Sequence, residues 1–200
     1  MGRACGPDER WQAVDHLLTH ALVCANLMKQ YQLESSQATR LLDRTATYLQ
    51  DRMLYREAEG LFQRALAIAE KVRGPGHPNT AATLHNLAGL YRNQGRYAEA
   101  ESLYQRALAI KEKVRGPDHP DTAITLGNLA ELYRNQGRYV KAEPLYQRAL
   151  AIFEKALDPD HPSIGTTLEH YATLLRDLKR EGEAVRLEAR ARTIRAKHHA

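Results

Sequence analysis

The sequence predicts an all-α solenoid of antiparallel helix pairs, and three observations carry that expectation. Leu61-Phe62-Gln63-Arg64-Ala65-Leu66 recurs as Leu103-Tyr104-Gln105-Arg106-Ala107-Leu108 and as Leu145-Tyr146-Gln147-Arg148-Ala149-Leu150, a spacing of 42 residues. A fixed period of this size marks stacked repeats, each too small to bury its own apolar face. Within a period the apolar residues follow helical spacing: Leu84, Leu87, Ala88 and Tyr91 fall at i, i+3, i+4 and i+7, and Ala100, Leu103, Ala107 and Ile110 continue the pattern after a break. The break is Asn93-Gln94-Gly95-Arg96, copied as Asn135-Gln136-Gly137-Arg138, where glycine can take the left-handed conformation that ends a helix. Across 87–120 and 129–162, 26 of 34 positions match. The differences are Gly89/Glu131, Ala98/Val140, Glu99/Lys141, Ser102/Pro144, Lys111/Phe153, Val114/Ala156, Arg115/Leu157 and Gly116/Asp158, so these positions distinguish one repeat from the next.

Taken in order, residues 1–10 are expected to be disordered and 11–34 to form a leading helix, with Trp11, Val14, Leu17, Leu18, Ala21, Leu22, Ala25 and Met28 on its apolar side. Residues 35–78 form a degenerate first unit: Leu41, Leu42, Thr45, Ala46, Tyr48 and Leu49 keep helical spacing, but Met53-Leu54 stands where the other turns have Gly-Arg. Residues 79–120 and 121–162 are the two regular units. Each unit closes near Gly74-Pro75-Gly76 or Gly116-Pro117-Asp118, and His-Pro at 77, 119 and 161 opens the next, with proline suited to the first helical position. Asn79, Asp121 and Ser163 follow as short polar residues able to accept hydrogen bonds from free amides. Pro144 sits early in its helix, where it removes at most one backbone bond. Residues 163–197 form a capping unit in which Lys179-Arg180-Glu181-Gly182 replaces Gln-Gly-Arg-Tyr, and Arg186, Arg190, Arg192, Arg195 and Lys197 stand where other units carry apolar residues. Such a polar outer face is what a terminal repeat needs. Residues 198–200, with His198 and His199, are a tail.

The Asn-Leu-Ala, Leu-Tyr, Gly-x-Tyr, Ala-Glu and Leu-Tyr-x-Arg-Ala-Leu elements resemble the tetratricopeptide repeat. The longer period and the Gly-Pro-Asp-His-Pro-Asp-Thr connector are similar to the kinesin light chain variety. The resemblance implies a right-handed superhelix whose concave groove binds protein or peptide, and it implies that the first helix of each unit lines that groove. The groove positions are then Ala82, His85, Asn86, Gly89, Arg92 and Asn93; their counterparts Ile124, Gly127, Asn128, Glu131, Arg134 and Asn135; and Thr166, Glu169, His170, Thr173, Arg176 and Asp177. Asn86 and Asn128 match the asparagine that the family uses to hold a peptide backbone, since an amide side chain donates and accepts at once. His170 departs from this pattern. The same amides could instead satisfy buried backbone between helices, and the sequence leaves both uses open. Arg92 and Arg134 would attract acidic side chains or a carboxylate. The leading segment followed by such repeats is also similar in layout to the tail of bacterial NB-ARC (STAND) ATPases, which implies a structural or sensor arm as the alternative role. No Gly-x-x-x-x-Gly-Lys-Ser/Thr phosphate loop occurs in these residues.

Other function classes find little support. The net charge of +5 invites a nucleic-acid surface. However, the arginines at 64, 106 and 148 lie on second helices, those at 92, 134 and 176 on first helices, and Glu99, Glu101, Glu131 and Glu143 are interleaved with them, as on salt-bridged solvated faces. His16, His20 and Cys24 share a helical face and have the residue types of zinc ligands, but chance spacing on a half-buried helix explains them and no fourth ligand is placed nearby. His77, His119 and His161 recur once per repeat as connector residues, and no nucleophile elbow or His-Glu-x-x-His helix is present. We therefore expect no enzyme, no cofactor, no metal and no nucleic-acid partner. No apolar run approaches the roughly 20 residues needed to span a bilayer, and Met1-Gly2-Arg3-Ala4-Cys5-Gly6 has neither a signal core nor the Ser or Thr of a myristoylation motif. With two cysteines, Cys5 and Cys24, expected as free thiols, the expectation is a cytoplasmic chain with no membrane partner. Oligomeric state is not legible.

Overall fold

The computed structural model describes residues 21–23, 25–27, 30–32 and 34–198. Of the leading helix, residues 21–23, 25–27 and 30 are helical and Ala25 is buried. Trp11, Val14, Leu17, Leu18 and Met28, the cysteines Cys5 and Cys24, and the histidines His16, His20 and His199 lie outside the described residues. Eight helices with defined bounds follow: α1 (Ser36–Asp51), α2 (Tyr55–Arg73), α3 (Pro78–Asn93), α4 (Tyr97–Arg115), α5 (Pro120–Asn135), α6 (Tyr139–Ala156), α7 (Pro162–Asp177) and α8 (Glu181–His198). No strand occurs among the described residues. The chain divides within α3 into two compact units, one ending at Leu90 and the other starting at Tyr91.

In the first unit α1 packs against α2. Ala38, Leu42, Ala65 and Ile68 form one buried cluster, with Ala25 beside them and Leu61 against it. Ser35 caps α1, its side chain accepting from the Ala38 amide at 3.1 Å. The α2 helix ends at Gly74, whose φ of 92° is open to glycine without strain.

In the second unit α5 pairs with α6 and α7 with α8, while α4 packs on α5 and α6 on α7. The core runs through Ala123 and Leu126 of α5, Ala149, Ile152 and Phe153 of α6, Ile164 and Leu168 of α7, and Ala191 and Ile194 of α8. Pro144 lies inside α6 without ending it. Beside the core, one polar arrangement occurs twice. Glu101 accepts from Arg138 at 2.6 Å and from the Tyr133 hydroxyl at 2.8 Å; Glu143 accepts from Arg180 at 2.6 Å and from the Tyr171 hydroxyl at 2.9 Å. Tyr171 corresponds in register to Leu129, so its hydroxyl reaches the second glutamate from one helical turn earlier than Tyr133 reaches the first.

The connectors revise two expectations. The side chains that cap the first helices belong to the histidines. Nδ1 of His119 accepts from the Asp121 amide at 3.0 Å and Nδ1 of His161 from the Ser163 amide at 3.1 Å; His77 does the same for the Asn79 amide at 3.0 Å. At these joints Asn79, Asp121 and Ser163 thus supply the backbone donor. A histidine preceding Pro at the first helical position brings its ring nitrogen to an amide with no intrahelical partner. The last turn is also one residue out of the expected register. Lys179 holds the position of Gly137, at φ 60°, and the Arg180 amide bonds to the Leu175 carbonyl as Arg138 bonds to that of Tyr133. By the same register Arg190 and Lys197 replace Arg148 and Lys155; among the basic residues of α8, Arg192 and Arg195 take apolar places, those of Leu150 and Phe153. The capping unit keeps its buried face through Ala184, Ala191 and Ile194.

Because a non-glycine residue in the left-handed region costs about 1–2 kcal/mol, Lys179→Gly is expected to raise stability by up to about 1 kcal/mol despite glycine's greater freedom when unfolded. The increase should appear as a higher urea midpoint at unchanged slope.

Candidate functional site

The α5 helix begins at a histidine cap with Pro120 in its first turn, and its apolar face from Ala123 to Tyr133 is buried. Helical spacing then sets Ile124, Gly127, Asn128, Glu131 and Arg134 in one stripe along its flank. On α7 the stripe continues as Thr166, His170 and Asp177. The structure brings Ile124, Gly127, Asn128, Thr166 and His170 together around a cavity of about 340 Å³, with Tyr146 and Phe153 of α6 among its walls. Five positions assigned to the groove from sequence therefore line one opening. Asn128 is half-buried, and Ile124 is exposed.

The remaining stripe residues carry charge in pairs. Arg92 is ion-paired to Glu131, and Arg134 donates to Asp177 at 3.0 Å and to the Asn135 side chain at 3.1 Å. Arg92 also reaches Asn93, at 3.4 Å. Arg176 is bound to Glu188 of α8 at 2.9 Å, so the series of pairs between successive first helices ends at Asp177. Both arginines expected to draw acidic ligands thus already hold carboxylates. An acidic ligand would have to exchange with Glu131 or Asp177, which offsets much of its attraction. Below them lie two buried tyrosines. Burial pushes the Tyr104 hydroxyl up to about 12, with Arg92 opposing and Glu131 adding. Burial also raises that of Tyr146, which lacks a well-formed hydrogen bond beside the Arg134 guanidinium. In the first unit His85 and Asn86 are half-buried on α3.

Tyr146 and Phe153 lie on a second helix, which the repeat pattern does not assign to the groove. The signal for one of them was present in the Lys111/Phe153 difference. Lys111 donates to Thr125 Oγ1 at 2.8 Å and to the Asp121 carbonyl at 3.2 Å, and burial pulls its amine below the ordinary lysine range. Phe153 places an apolar ring at the corresponding position.

Among the described residues no group of three His, Cys, Asp or Glu could hold a metal, and no helix is long and apolar enough to cross a membrane. His16, His20 and Cys24 lie outside that description.

The tetratricopeptide repeat profile matches residues 37–113, 82–154 and 121–197. Among solved structures, BtubC (BKLC) from P. vanneervenii superposes with a TM-score of 0.79 at 21% identity, over 96% of this chain and 78% of that one. The nearly identical TPR-like repeats of a kinesin light chain candidate from Podosopora anserina give 0.75 at 25% identity, over 94% and 90%. MamA gives 0.65 at 13% identity, over 98% of each chain. No curated protein matches the sequence significantly.

Proposed function

This chain belongs to the tetratricopeptide-repeat family, with repeats of the kinesin light chain kind, and from that premise we propose that it is a non-catalytic interaction module gripping an extended peptide along its first helices. The observation that carries this proposal is the clustering of Ile124, Gly127, Asn128, Thr166 and His170 around one cavity. These are the flank positions that the repeat pattern leaves outside the core, and they present a half-buried amide beside open space. Asn128 supplies the donor and acceptor for a peptide group of any sequence, and Asn86 offers the same chemistry on α3. Glu131, Arg134, Asn135 and His170 then shape the surroundings of Asn128, and His85 separately stands beside Asn86 on α3, while the paired arginines Arg92, Arg134 and Arg176 give registry to the helices more than net charge to the ligand.

The test is selection of peptides from a displayed library on the purified chain, followed by fluorescence anisotropy. Asn128→Ala is expected to weaken the selected peptides by about 1–3 kcal/mol, because a buried peptide group loses its partner. If every selected peptide binds that variant as tightly as the parent, at equal helicity, the backbone-holding role is wrong.

A further inference from the structure

One register position changes its chemistry from repeat to repeat. Residues 43, 85, 127 and 169 correspond at 42-residue spacing and are Asp43, His85, Gly127 and Glu169. Asp43 is tied to Thr83 at 2.8 Å, and Glu169 to Arg195 at 2.6 Å. Gly127 has no side chain, and a Cβ built there would meet no atom within 4 Å. The cavity therefore opens where a side chain is missing. The wall opposite is changed as well, since Phe153 stands where the preceding repeat has the Lys111 amine bridging Thr125 and the Asp121 carbonyl.

We infer that Gly127, with Phe153, makes this cavity a specificity pocket for one bulky uncharged side chain of the bound peptide. The inference deepens the peptide-binding proposal and rests on it. Charge complementarity decides the occupant's class. The lining holds no Asp, Glu, Lys or Arg, so a charged side chain entering it would lose water without gaining an ion partner. The exposed Ile124 side chain offers apolar contact over a floor formed by the buried Phe153 and Tyr146, and the volume of about 340 Å³ lies at the small end of ligand pockets, enough for a large side chain and its own backbone. Asn128 at the same opening is placed to hold that backbone. Glycine within a helix is otherwise less favourable than alanine, and position 127 leaves open space where a side chain would stand.

The test uses the intact chain and amino-acid amides as probes, read by the chemical shifts of Ile124 methyl and Thr166 amide resonances. N-acetyl-phenylalaninamide is expected to shift these signals at concentrations where N-acetyl-alaninamide and N-acetyl-lysinamide do not. Gly127→Leu fills open space with a better helix former, so it should fold, and it should weaken the phenylalanine amide about tenfold or more. Phe153→Lys, which rebuilds the arrangement of Lys111 with Thr167 and the Ser163 carbonyl, should do the same without filling the cavity. Equal shifts from all three amides, or an unchanged response in a Gly127→Leu chain of normal helicity, would overturn the pocket. Those results would leave the peptide-holding role of Asn128 to its own measurement. Conversely, a library that returns no peptide while the phenylalanine amide still binds sinks the peptide reading and sustains the pocket.

Discussion

Leu126→Ala is expected to lower the free energy of unfolding by about 2–5 kcal/mol, the range for truncating a leucine in a closed core. Leu126 is fully buried and joins Ala149 and Ile152 of α6 to Ile164 and Leu168 of α7. Its loss leaves a void where helices from two successive pairs meet, so the neighbours cannot collapse onto it without moving a whole helix. Ile124 is two residues away on the same helix and 44% exposed, and Ile124→Ala should change stability by less than about 0.5 kcal/mol. Urea denaturation of both variants gives the comparison. Similar midpoints would mean that α5 does not present the face described.

Asp43→Asn is expected to stabilise the protein at pH 7 and to remove part of its pH dependence. The Asp43 carboxyl is largely buried: one oxygen accepts from Thr83 at 2.8 Å and the other has no partner. Burial raises its pKa to about 6, with the Thr83 hydroxyl opposing. Because the folded value lies above the unfolded one, near 4, protonation favours the folded state. The corresponding stability is present below about pH 4 and is lost as pH rises through about 6. By this linkage the ionised carboxyl costs roughly 2–3 kcal/mol at neutral pH, at about 1.4 kcal/mol per pKa unit. Asparagine keeps an acceptor for Thr83 without the charge. The stability difference between variant and parent should therefore widen from pH 4 to pH 7. Glu101, Asp118, Glu99 and Glu183, whose carboxyls are held below their ordinary values, act in the opposite direction at acid pH and cancel in that difference. A constant difference across this range would place the Asp43 carboxyl in contact with water.

The helices were legible because the 42-residue period and the three-and-four spacing within it are both properties of the chain alone. Gly95 and Gly137 could be assigned to left-handed turns for the same reason, and φ values of 75° and 71° agree. Lys179 could not, since lysine has no preference for that conformation, and without the glycine marker the last turn was displaced by one residue. The ring nitrogens of His119 and His161 were hidden differently. Residue type gives a histidine an acceptor and a donor, and only the backbone path decides which nitrogen meets an amide. The flank of α5 was readable from its core face, and its pairing was not: Arg92 finds a carboxylate 39 residues on and Arg134 one 43 residues on, so no single offset reveals both. The cavity was least visible, because it arises from an absent side chain at Gly127 meeting a substituted one at Phe153 on a different helix.

The histidine caps also make this chain its own reporter. An Nδ1 that accepts from an amide carries no proton, so His77, His119 and His161 must each hold the Nε2–H tautomer while their joints are intact. Imidazole nitrogen shifts distinguish that tautomer from the mixture found in a free chain. With one such ring at the start of α3, α5 and α7, the order in which the three signals lose their tautomeric signature on warming would record which joint opens first, without an added label or a substitution.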